Sequence, residues 1–322
     1  MLLDAIRNRV GRRIRTMPWR IAHRLSASRP VAALRTGRYR RAITAHAGKL
    51  PAMDGHWGEI VASLEHSGLA RQDVMALGLP DHQAVIEAGK ALTDEWQDRL
   101  IANARTGVSF LQVPAAAMAG YPAIYRFGLS TPLLAAVEAY LGMPVAYDGV
   151  TLQFTVADGR AVSTREWHRD REDRRMVKLA IYLNDVDAQG GPFQLLSGSN
   201  DMLEAVGGRD QFHLDTDKVA AAIAAGAIPP PLTCEGGTGT AVFADTARFF
   251  HRGKPATGRH RAALFFSYFA RHPERPYFCN RSSFSGSELD GLTAGLSPAQ
   301  RQAALWHSGL PFYWRVIPSA SV

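Results

Sequence analysis

The sequence predicts a mainly β core with flanking helices, an α+β fold whose strands close as a sandwich or jelly-roll barrel. Three observations predict it. From about residue 150 the chain breaks into short runs rich in Val, Ile, Leu, Thr, Phe and Tyr, Gly-rich turns punctuate those runs, and helical signals are confined to the segments around them. A chain of 322 residues, 46% apolar and 20% charged, is long enough to bury such a core. That composition excludes a disordered, collagen-like or disulfide-stapled protein.

The first element is a basic head. Residues 1–50 carry twelve Arg and one Lys against a single acid, Asp4, a charge of +12, so the overall +8 hides a body of −4. Leu3, Ile6, Val10, Ile14, Met17 and Ile21 recur at steps of three and four, on one stripe of a helix whose other faces carry Arg9, Arg12, Arg13, Arg15 and Arg20. Pro18 kinks or stops that helix, and residues 25–50, with Ser26, Ser28, Pro30, Gly37 and Gly48, read as a connector. Three readings stay open: peripheral association of residues 1–24 with an anionic membrane surface, an organelle transit peptide, and a helix packed on its own acidic body. Nucleic acid is not an expected partner, and no apolar segment follows Arg12-Arg13 to make an export signal.

The next elements are helical. Asp81 precedes Val85, Ala88, Leu92, Trp96 and Leu100 at helical spacing, and Thr131 and Pro132 open a second helix that Gly142 and Pro144 close. Strands are expected at 150–156, 161–167, 177–184, 192–196, 239–244, 248–251 and 262–269. A helical insert, about 200–228 overall, holds a helix at 215–225 that Asp215 caps and Gly226 ends. A tail helix runs from Ser297-Pro298 to Gly309. The expected division is therefore 1–50 as head and connector and 51–322 as one domain, with its barrel core at about 125–270. Two cysteines, Cys234 and Cys279, form neither a staple nor a zinc motif, so a reducing compartment, the cytoplasm, is expected. No stretch reaches the roughly 18 apolar residues of a membrane span.

The chemistry is sought among the eleven histidines. His-x-Asp/Glu puts two metal-binding side chains on one side of an extended segment. Chance alone supplies about one such pair at this composition, and three occur: His168-Arg169-Asp170, His213-Leu214-Asp215 and His272-Pro273-Glu274. Context separates them. The first lies between strand runs ahead of Val177–Leu183 and a Gly-Gly-Pro-Phe turn at 190–193, and a distant His251 and Arg261 follow, the latter opening the run 262–269. Asp215 is better spent capping the insert helix, and the proline of the third pair breaks any strand there.

Trp167-His168-Arg169-Asp170, the stretch from Ile181 to Asp185 through Gly191-Pro192-Phe193 to Gly198-Ser199, and His251 with Arg261 together resemble the phytanoyl-CoA dioxygenase family of Fe(II)- and 2-oxoglutarate-dependent oxygenases. The resemblance covers roughly 125–270. It implies a double-stranded β-helix, a cupin-like jelly roll, with His168, Asp170 and His251 as iron ligands and metal-supported catalysis at that triad. It implies Fe(II), 2-oxoglutarate and O2 as cofactor and cosubstrates, with hydroxylation of an unactivated C–H bond. Arg261 is then the partner of the far carboxylate of 2-oxoglutarate, since a planar guanidinium binds carboxylate bidentately. Arg259, two residues earlier on the same strand face, is the alternative. Gln153, fifteen residues before His168 on the first strand, is a candidate polar contact to the cosubstrate, with Thr155 next on its face; the alternative is that both are ordinary polar residues of a barrel strand. Gly253 stands where relatives often have Ser, and Ser197-Gly198-Ser199-Asn200 replaces a more usual Pro-Gly-Ser-His. Retention of Asp170 favours hydroxylation over halogenation. The expected substrate is a small molecule or lipid-linked scaffold.

Overall fold

Nine strands build two antiparallel sheets among the described residues, which are 17–19, 21, 22, 24, 28–104, 110–279, 283–315 and 317 of the computed structural model. They are β1 (Leu69–Asp73), β2 (Phe110–Gln112), β3 (Val145–Thr155), β4 (Met176–Tyr182), β5 (Phe193–Leu195), β6 (Leu232–Cys234), β7 (Thr240–Asp245), β8 (His251–Gly253) and β9 (Arg261–Ala270). The larger sheet has the order β1-β7-β4-β9-β3-β2 and the smaller β6-β5-β8. Helices occupy more of the described chain than strands do, so the fold is a mixed helix and antiparallel-sheet one and the β emphasis of the sequence reading is too strong.

Strand β4 shows why the core forms. Val177, Leu179 and Ile181 point to one face, where they join Leu264, Phe266 and Val150 and meet Ile60, Leu64, Val85 and Leu92 from the helices Gly55–Ser67 and His82–Ala104. Ala180 and Tyr182 point to the other face, where Phe193, Leu195, Cys234, Val242 and Ala263 close the space between the two sheets. A strand covered on both faces reads as a continuous apolar run. The buried Tyr182 hydroxyl fastens the sheets together, donating to the Cys234 carbonyl at 2.8 Å and accepting from the Phe193 amide at 3.1 Å.

Several local signals lead to the elements they promise. Thr131–Leu141 is helical with proline in its first turn and left-handed Gly142 after it. Asp215 caps Thr216–Ala224, accepting from the Asp217 and Lys218 amides at 3.0 and 3.1 Å. Ser297 forms a reciprocal capping box with Gln300 at the start of the Pro298–Ala304 helix. Two expectations are corrected. Residues 161–167 are not a strand: a single 3-10 turn, Ser163–Arg165, lies there, its buried Arg165 guanidinium bonded to the Val156 carbonyl at 2.8 Å.

Residues 25–50 do not form a connector throughout, because Arg29–His46 is an α-helix. Pro30 sits in its first turn, and the Tyr39 ring lies under the Arg174 guanidinium at 4.7 Å. Arg35 pairs with Glu274 at 3.5 Å and His46 with Glu138 at 2.7 Å. This part of the head packs on the acidic body. Residues 1–16 of the amphipathic stripe lie outside the described residues, and no described helix is long and apolar enough to cross a membrane.

Asp173 ties the approach to β4 to the chain after β9, accepting from the amides of Arg174 at 2.8 Å, Glu274 at 3.1 Å and Ala270 at 3.1 Å. Burial raises its pKa to about 7. The ordinary carboxyl value in an unfolded chain is about 3.9, so the folded state binds the proton more tightly. This contribution to stability is fully present below about pH 4 and is lost as pH rises through about 7. Urea midpoints measured from pH 4 to 8 should show the fall, and Asp173→Asn should flatten that part of the profile.

Candidate metal centre

The 168–170 segment and β8 come together through the backbone. The His168 amide donates to the His251 carbonyl at 3.0 Å and the His251 amide returns the bond at 2.9 Å. On the opposite side the Leu214 amide donates to the Trp167 carbonyl at 3.0 Å, so the segment lies between β8 and the insert. The Asp170 amide donates to the Thr246 carbonyl at 2.7 Å, which fixes the carboxylate beside the end of β7. Asp245 shapes the turn that leads to His251: its carboxylate takes the Tyr140 hydroxyl at 2.5 Å and the Ala247 and Arg248 amides at 3.1 and 3.0 Å.

His168, Asp170 and His251 thereby offer ligand atoms that all lie within 4.8 Å of one another. Asp170 and His251 are buried, and the two imidazole rings are 4.3 Å apart between centroids. The Phe193 ring stacks on His251 at 5.6 Å, which places the cluster on the interior face. His168 Nδ1 lies 2.9 Å from the Glu166 carbonyl and His251 Nδ1 3.2 Å from the Phe249 carbonyl. A carbonyl can only accept, so each Nδ1 carries the proton and each Nε2 keeps its lone pair. Burial, then the neighbouring His168 and Lys178, pushes the His251 pKa well below the ordinary imidazole range. A neutral imidazole is the form that binds metal. Two such imidazoles and one carboxylate suit a divalent transition metal with open positions.

Arg261 is buried at the start of β9, opposite Thr155 of β3. Its Nη1 donates to the Gly191 carbonyl and its Nη2 to Thr155 Oγ1 at 3.3 Å. Burial lowers its pKa, although a guanidinium remains charged at neutral pH. Two glycines make this placement possible. Gly191 holds a φ of +73°, which presents its carbonyl to the guanidinium, and a Cβ on Gly253 would come within 2.9 Å of Arg261 Nη2. Gly253 thus makes room for the arginine where a serine would crowd it.

Arg259 is elsewhere: its side chain is 62% exposed and pairs with Asp187 at 3.4 Å on the surface. Gln153 is half-buried on β3, on the Thr155 face and opposite Ala263 of β9, so it shares the interior face with Arg261. The other His-x-acid pairs have separate duties. His213 bonds Asp210 at 2.7 Å while Asp215 caps its helix. Glu274 pairs with Arg35, Arg174 and Arg275.

One interior residue went unnoticed in the sequence. Lys178 of β4 places its Nζ 2.5 Å from Asp170 Oδ2, with side-chain exposures of 13% and 3%. The signal was available, since Lys178 alternates with Val177 and Leu179, which face the helices, and so falls on the face of Ala180 and Tyr182.

Fold and site together define an antiparallel two-sheet protein whose interior holds a two-histidine, one-carboxylate cluster able to bind a metal ion. No protein-family model matches the chain, and no curated protein does. Among solved structures it is similar to EctD from S. alaskensis with bound Fe, at 16% identity over 69% of this chain and 80% of that one, with a TM-score of 0.47. It is also similar to the epimerase SnoN in complex with Fe3+, alpha ketoglutarate and nogalamycin RO, at 14% identity over 71% and 87%, with a TM-score of 0.45. HygX from Streptomyces hygroscopicus with nickel, 2-oxoglutarate and hygromycin B bound aligns at 15% identity over 66% and 86%, with a TM-score of 0.43.

Proposed function

We propose that this protein is an Fe(II)- and 2-oxoglutarate-dependent oxygenase that hydroxylates an unactivated C–H bond of a small-molecule or lipid-linked substrate. The proposal includes the resemblance to the phytanoyl-CoA dioxygenase family and its double-stranded β-helix, with residues 51–322 as the oxygenase unit. The observation that carries it is the pairing of the His168–Asp170–His251 cluster with a buried Arg261 on the same interior face. A metal cluster alone would suit many barrels. A buried guanidinium needs an anion to justify its desolvation, and a carboxylate matches its fork.

When bound, iron with 2-oxoglutarate and O2 supplies the oxidising power, one oxygen atom going to the substrate and one to succinate as CO2 leaves. The chain does the rest. His168 and His251 present Nε2 in fixed tautomers, held by the Glu166 and Phe249 carbonyls. Asp170 supplies the charge. Arg261 receives the far carboxylate, with Thr155 and Gly191 fixing its plane, and Gln153 faces the same space from β3. Tyr182, Phe193 and Ala263 give that interior an apolar lining.

The test is anaerobic addition of Fe(II) and 2-oxoglutarate, which should produce a metal-to-ligand charge-transfer band in the visible, and admission of air should yield succinate. Metal binding without the band would indicate a barrel metalloenzyme that does not use 2-oxoglutarate. Absence of both metal binding and succinate would indicate a non-catalytic binding protein.

A further inference from the structure

A lysine in the middle of an apolar strand is costly to bury, and Lys178 is placed where the cost has a use. It lies on the interior face of β4, and its Nζ is 2.5 Å from Asp170 Oδ2. Its ladder neighbours are small: Ser267 opposite on β9 and Ala244 opposite on β7, with Ala180 next on its own face. Arg261 belongs to the other end of this face, because β9 places it two residues before Ala263, the partner of Tyr182. The interior therefore holds two fixed cations, one beside the metal cluster and one about six residues of strand away, roughly 20 Å at 3.3 Å per residue.

Charge decides what the nearer cation is for. Asp170 and Lys178 pair with each other in this structure, and Arg261 is a second cation on the same face. A divalent metal and the 2-oxoglutarate dianion cancel each other, so loading by itself leaves the charge of this face unchanged. A net charge inside a barrel is expensive unless an opposite charge meets it. Arg261 is taken by the far carboxylate of 2-oxoglutarate. Once a divalent ion shares the Asp170 carboxylate, Lys178 faces a second cation, and an anion entering the site relieves both.

We infer that Lys178 determines substrate class by receiving an acidic group of the substrate, a carboxylate or a phosphate, beside the metal. This rests on the oxygenase reading above. The substrate then carries its acid close to the oxidised carbon, and the matching neutral ester or amide is a poor substrate because it brings no charge to the ammonium.

The experiment starts from the anaerobic Fe(II)–2-oxoglutarate form, in which the metal supplies the counter-charge of Asp170. Wild type and Lys178→Met should show the same charge-transfer band and similar Fe(II) affinity. Acetate and methyl phosphate, added separately as probes, should perturb the band of the wild type. One of the two should bind it at least about tenfold more tightly than Lys178→Met, the scale of one charge-assisted hydrogen bond, and Lys178→Arg should retain most of that affinity. Acetate responding alone identifies a carboxylate substrate, and methyl phosphate responding alone a phosphate ester. Equal anion affinity in wild type and Lys178→Met overturns the inference. So does loss of Fe(II) binding in Lys178→Met, which would make Lys178 a positioning residue for Asp170. Failure of the wild type to form the band at all overturns the oxygenase reading instead, so the two failures are distinct.

Discussion

His251→Ala is expected to eliminate tight Fe(II) binding and, with it, succinate formation from 2-oxoglutarate. The loss should exceed the 10- to 100-fold that removal of an outer partner of a metal ligand typically costs, because here a ligand itself goes. The effect is large for a structural reason. His251 is buried, its ring packs on Phe193, and its Nδ1 is committed to the Phe249 carbonyl, so its Nε2 is presented to the cluster by a ring held in place. Asp170→Asn should be comparably inactive while keeping the side-chain shape, since it removes the charge that two imidazoles cannot supply. Anaerobic Fe(II) titration followed by a succinate assay in air measures both. His272→Ala is the control, because His272 has no place in the cluster. If His251→Ala binds Fe(II) as well as the wild type, the metal site is somewhere else.

The parts of this site that were legible in the sequence are those encoded locally. His168 and Asp170 fall on one side of an extended segment by simple alternation, Asp215 announces a cap, and the Val177–Leu183 run announces a strand buried on both faces. The parts that escaped depend on distant partners. Leu69–Asp73 is a short, largely polar edge strand that exists because β7 lies beside it, and Leu232–Cys234 is three residues long after three prolines. Arg29–His46 has no apolar stripe to reveal it; its packing runs through Arg35, Tyr39 and His46 onto Glu274, Arg174 and Glu138. Periodicity reports apolar burial and is blind to a helix held by ion pairs and a cation over a ring. Lys178 is the instructive middle case. Strand alternation places it inside, but its meaning depends on Asp170 arriving at 2.5 Å from another segment.

Arg261→Ala should raise the 2-oxoglutarate concentration needed for half-maximal band formation by about 100-fold, the worth of a bidentate charged contact, while leaving Fe(II) affinity nearly unchanged. The split between the two readouts is what gives the variant its value. Arg261 sits at the start of β9 and is not one of the clustered metal-binding side chains, so removing it should empty the seat proposed for the far carboxylate without touching Nε2 of either histidine. Part of the cost is structural, since the Gly191 carbonyl and Thr155 hydroxyl each lose a donor. Arg261→Lys separates the contributions: it keeps the charge, loses the fork, and should lie between alanine and wild type. Arg259→Ala should do almost nothing, because that side chain is on the surface against Asp187. Gly253→Ala tests the same seat without removing the arginine. Its new Cβ would stand 2.9 Å from Nη2, so the guanidinium must shift and the 2-oxoglutarate requirement should rise while Fe(II) binding holds. A rise for Arg259→Ala with none for Arg261→Ala or Gly253→Ala would move the anion seat to the surface and leave the buried arginine a purely structural one.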